Sequence, residues 1–183
     1  MMASLVSGLS LGLSLIVAIG AQNAFLLRQG LRGEHVLPVC LVFAVSDALL
    51  IALGVSSFAA VSATLPSVEP VLRYGGALFL LVYAARSFRA AAGRADALVP
   101  DPDAPARSLR ATLGVALALT FANPHVYLDT VVLIGTVSTR QPAPALFGVG
   151  AAVGSFVFFV ALGFGARWLR PVFARPRAWQ VLE

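Results

Sequence analysis

The chain has 183 residues, 59% of them hydrophobic and 11% charged, and a mean hydropathy of +0.90. A soluble domain carries about 25% charged residues, so this composition excludes an ordinary water-soluble protein. The net charge is +5 and all 13 basic residues are arginines, but they stand in short stretches between apolar segments. With no basic stripe interleaved with aromatics, a nucleic-acid partner is excluded as well.

Residues 3–27 form the first apolar segment, without charge and without a positive stretch before it. Roughly 20 residues span a bilayer, whereas the apolar core of a signal peptide has about 7–15. The segment therefore reads as a first transmembrane helix. Near its end stand two carboxamides, Gln22 and Asn23, preceded by the small residues Gly20 and Ala21, which permit close approach of another helix or a ligand. Residues 36–61 form the second span, with Asp47 as its one charge and Cys40 as the one cysteine of the chain. A lone cysteine in an apolar run allows no disulfide framework and no paired-thiol relay, and it reads as a small buried hydrophobe.

The third span covers residues 71–91, with Arg73, Arg86 and Arg89 towards its ends. A polar, proline-rich linker, residues 94–108, follows it. The fourth span, residues 109–137, is interrupted by Asn123-Pro124 and carries Asp129; the fifth, residues 144–168, is uncharged until Arg167. Arginines favour the connections 28–35 and 94–108 and the tail 167–183, so the positive-inside bias places these in the cytoplasm and the N-terminus outside. In that tail Pro176 suits a first helical position and residues 178–183 contain no helix breaker. The expectation is a sixth helix starting there, and hence a single domain over residues 1–183 that is truncated at its C-terminal end; the alternative is a tail that forms only a short amphipathic cap.

A charge in the membrane interior costs about 3 kcal/mol on insertion scales and usually faces a bundle interior or a wet pathway. Asp47 and Asp129 are the acidic residues deep in spans. Each reads either as a hydrogen-bond partner between helices or as a pathway group. Pro124 removes a backbone donor and frees the carbonyls of Thr120 and Phe121. The result is either a simple kink or a broken helix that offers backbone dipoles to a substrate or ion. Asn123 with Tyr127, and His125 with Asp129, stand four residues apart and share a face in a regular helix. His125 suits a proton carrier or a hydrogen-bonded structural role, and Tyr127 either core packing or the pathway. G-A-Q-N and F-A-N-P are weakly alike, which is compatible with two three-helix halves related as an inverted repeat.

The glycines of GLSLGLS in the first span and of GVGAAVGS in the fifth, with Gly150 and Gly154 spaced as G-x-x-x-G, fit close helix packing, either within the chain or in a homodimer. No H-E-x-x-H, no G-x-S-x-G and no cluster of metal ligands supports an intramembrane enzyme, and no charged ring supports a channel. Neither metal nor cofactor is expected.

G-A-Q-N-A-F-L-L-R-Q-G at 20–30, V-S-D-A-L-L-I-A-L-G at 45–54 and N-P-H-V-Y-L-D-T at 123–130 resemble, in order and spacing, the signature stretches of the LysE family of amino-acid exporters. The last stretch most resembles the arginine-exporter branch. The resemblance implies an all-helical, six-span inner-membrane protein that exports lysine or arginine, driven by the membrane potential or the proton gradient. It carries Gln22, Asn23, Asp47, Asn123, Pro124, Tyr127 and Asp129 over as motif positions, and it implies a softer first break, because Ala21 stands where many relatives have proline. The combined expectation is a secondary-active exporter of basic amino acids, with Gln22, Asn23, Asp47, Asn123, Pro124, His125, Tyr127 and Asp129 along its pathway. The alternatives are a non-transporting membrane scaffold and an intramembrane enzyme.

Overall fold

The computed structural model describes residues 1–17, 20–64 and 108–173, with positions 74, 78 and 81 between them. The third span expected at 71–91, the linker 94–108 and the start of a sixth helix beyond Pro176 lie outside the described residues, apart from those three positions and Ser108. The described residues are helical throughout, in a polytopic membrane bundle: α1 (Met2–Ile16), α2 (Ala21–Arg32), α3 (Val36–Thr64), α4 (Leu109–Phe121), α5 (Pro124–Ser138) and α6 (Pro144–Phe173).

Among the described residues, two helices are long and apolar enough to cross a membrane unaided, α3 over Val36–Phe58 and α6 over Pro144–Ala166. On α3 the outward stripe Leu37, Leu41, Val45, Leu49 and Leu53 is apolar, and so is the inward one of Val36, Val39, Cys40, Phe43 and Ile51. A helix apolar on both faces belongs in a large core or a membrane. Hydroxyls inside apolar helices need a partner, and a carbonyl of their own helix is the nearest one. Ser14, Ser56, Ser57, Thr130 and Thr136 accordingly donate to carbonyls one turn back in their own helices.

Two further spans among the described residues are bent pairs. Instead of one continuous helix over 3–27, α1 and α2 meet at 81°. The break is thus sharper than the 58° between α4 and α5, although it has alanine where proline was the expected breaker. The backbone is already extended at Gly20 (φ −103°, ψ −174°), so a proline is not needed to stop α1 from running into α2. At the second break Pro124 forces its predecessor out of the helical region. Asn123 sits at φ −97° and ψ 110°, and its Oδ1 accepts from the His125 N–H at 3.1 Å, capping α5. Within α5 residues Leu128–Leu133 form a turn of π-helix, which no sequence pattern announced.

Lipid chains are as apolar as leucine, so helices in a membrane associate through close packing more than through burial. The two glycine stretches serve that end against each other. A Cβ on Gly8 would collide with the Phe147 carbonyl and one on Gly150 with the Leu5 carbonyl; on Gly12 it would lie 3.0 Å from the Ala151 Cα. The packing face offered by these glycines is therefore occupied within the chain, α1 on α6. At the other end of α2, Gly33 (φ 73°) closes the helix, and the Glu34 N–H returns to the Gln29 carbonyl at 3.1 Å. This turn needs the left-handed conformation that glycine adopts without strain.

Candidate functional site

Both helix breaks open on one cavity of about 100 Å³. Gly20, Ala21, Gln22 and Asn23 line it from the first break, and Asn123, His125, Val126, Asp129 and Thr130 from the second. Asp47 and Ile51 of α3 and Ser155 of α6 close it. The carboxamides that interrupt the first apolar run thus face the same space as the two buried-span aspartates.

Asn23, 5% exposed, donates from Nδ2 to the Ile16 carbonyl at 2.7 Å. It thereby returns across the break and satisfies a carbonyl that the end of α1 leaves without a helical donor. Gln22 reaches in the other direction: its Nε2 donates to Thr120 Oγ1 at 2.9 Å, and that hydroxyl donates in turn to the Ala116 carbonyl at 3.0 Å. One side chain therefore ties the first break to the second. His125 Nδ1 lies 2.8 Å from Asp129 Oδ2, the four-residue pair expected on one helix face. Asp47, 5% exposed, accepts at Oδ2 from Ser155 Oγ at 2.9 Å.

Two expected residues do not reach the cavity. Tyr127 is 37% exposed and donates from its hydroxyl to the Phe121 carbonyl at 2.9 Å, so it seals the outside of the break. The reason is that Asn123 caps α5 with an extended backbone, and the helical spacing between 123 and 127 no longer holds. Pro124 is exposed at the first position of α5 and acts by forming the break. Conversely, Thr130 and Ser155 line the cavity without having been singled out for it, and Thr120, noted for its carbonyl, takes part through its hydroxyl. Small hydroxyl residues in an apolar helix carry little sequence signal of their own, and Ser155 stood inside a stretch read as packing.

The arrangement is a largely apolar chamber holding a cluster of polar side chains, walled among the described residues by two interrupted spans and two continuous ones. That is the build of a membrane transporter, in which irregular backbone is tolerated where it lines a cavity.

The comparisons with known proteins agree. The family model described as LysE type translocator matches residues 13–183. A candidate amino-acid transporter of Mycobacterium tuberculosis is 46% identical over 172 residues, 93% of this chain and 85% of that protein. YggA of Aeromonas salmonicida, another candidate amino-acid transporter, is 38% identical over 186 residues, 100% of this chain and 89% of its own. The arginine exporter ArgO of Pectobacterium atrosepticum is 34% identical over 185 residues, 100% of this chain and 90% of its own. No solved structure matches significantly. The chain belongs to the LysE family of amino-acid translocators, and its relatives are transporters, not enzymes.

Proposed function

We propose that this protein exports basic amino acids, L-arginine and L-lysine, across the bacterial inner membrane as a secondary-active carrier. The observation that carries the reading is the pair of carboxylates, Asp47 and Asp129, on one small cavity that also receives the start of α2. A basic amino acid is a cation at its side chain and a zwitterion at its backbone. The aspartates match the side-chain cation through charge-assisted hydrogen bonds. The start of α2, where Gly20 provides no side-chain cap, presents the backbone N–H groups of Ala21 and Gln22. A helix N-terminus of this kind favours the substrate carboxylate. Gln22, Asn23 and Asn123 then hold the two breaks in the geometry that the substrate meets.

The charge of the substrate also bears on the driving force. Moving one positive charge outward against 100 mV costs about 2.3 kcal/mol. Exchange for entering protons removes that cost, and the His125–Asp129 pair offers a place on the cavity wall where a proton can be held. The outward stripe of α3 faces lipid in this reading.

The test uses vesicles loaded with radiolabelled arginine, lysine or leucine. Arginine and lysine should leave faster than leucine, and faster again when the outer medium is made more acidic. Equal release of all three refutes the substrate class, and release indifferent to the gradient refutes proton exchange.

A further inference from the structure

The α3–α6 contact is an antiparallel ladder with one polar rung. Gly163 faces Cys40, whose thiol donates to the Phe159 carbonyl at 3.2 Å. Phe43 and Phe159 stack with ring centroids 5.3 Å apart. Ile51 and Ala151 lie in one buried cluster, and Val55 sits under Gly148. Between the Phe43–Phe159 and Ile51–Ala151 rungs falls Ser155 to Asp47, four residues from each neighbour on both helices. The register of two apolar seams thus delivers one hydroxyl to one carboxylate, both within 5% of full burial.

The bond uses only half of the carboxylate. Ser155 takes Oδ2, while Oδ1 has no hydrogen-bond partner among the described residues. Both residues line the cavity. We infer that Ser155 is a positioning residue for transport: it pins Oδ2 of Asp47 so that Oδ1 is presented to the cationic end of the substrate. This rests on the reading of Asp47 as a cation-binding group. A packing role alone predicts something different, because a polar rung that merely sets helix register affects assembly and leaves substrate discrimination unchanged.

The experiment measures, for the full chain in vesicles, the half-saturating concentration and maximal rate of labelled L-arginine exchange, with citrulline as the neutral isostere. Ser155→Ala should raise the half-saturating arginine concentration about tenfold, the scale of one hydrogen bond to a charged group. It should leave the weak response to citrulline unchanged, so that the preference for arginine shrinks. Ser155→Thr keeps the hydroxyl and should recover most of the affinity. An unchanged half-saturation in Ser155→Ala, or an equal loss for arginine and citrulline, overturns the inference while leaving basic amino-acid transport standing. A reduced protein level with unaltered affinity in the surviving protein also overturns it. If the unmodified chain exchanges no arginine, the functional reading fails first and the inference falls with it.

Discussion

Asn23 and Asn123 meet the same difficulty, an interrupted helix in an apolar setting, from opposite ends. Asn23 donates to the Ile16 carbonyl at the end of α1, and Asn123 accepts from the first N–H of α5. Replacing Asn23 by alanine strands the Ile16 carbonyl beside the cavity and should cost about 1–3 kcal/mol. Thermal unfolding in detergent should shift down by several degrees; an unmoved midpoint would show that the contact carries no stability. Asp129→Asn should leave the protein in the membrane and abolish arginine export, and normal export by this variant removes Asp129 from the pathway. The His125–Asp129 pair was legible in the sequence because a helical turn brings the two together locally. Ser155 to Asp47, 108 residues apart, was not, since it depends on the register of two long helices. Tyr127 lies apart from the cavity for the converse reason: the backbone of Asn123 is extended, so helical spacing does not carry through it.

At the scale of elements, apolar length and proline were enough to locate the second and fifth spans and the break at Asn123-Pro124. The first break was harder to see, because the carboxamides stand after it and not at it: α1 stops at Ile16 and α2 starts at Ala21. Pro124→Ala restores a backbone donor and relieves the restriction on Asn123. It should straighten the α4–α5 bend and cut the arginine export rate without lowering the amount of protein in the membrane; wild-type rates would mean that the bend does not shape the cavity. The glycine stretches make a second prediction. Gly8→Leu drives a side chain into the Phe147 backbone, and the protein should fail to accumulate. Among the described residues no heavy atom lies within 4 Å of a Cβ built on Gly114, so Gly114→Ala should accumulate normally. Immunoblots of membrane fractions separate the two cases, and equal levels for both would contradict the α1–α6 packing.

Among the described residues, two bent spans converge on a cavity that two straight spans brace, and Asp47, Asp129 and the carboxamides of both breaks meet there. In the proposed reading, stability and function therefore draw on the same polar contacts. Gln22 to Thr120 joins the breaks, Asn23 holds the first, and Ser155 joins α6 to α3 through Asp47. Membership of a translocator family follows from a match over residues 13–183; the proposed preference for basic substrates rests on two carboxylates and is the claim most open to a direct check. The measurement is efflux from cells that accumulate single amino acids from supplied dipeptides, comparing arginine, lysine and leucine with and without this protein. Faster loss of arginine and lysine alone, abolished by Asp129→Asn, is the predicted result. Faster loss of leucine, or no change for any of the three with the protein present in the membrane, would contradict it.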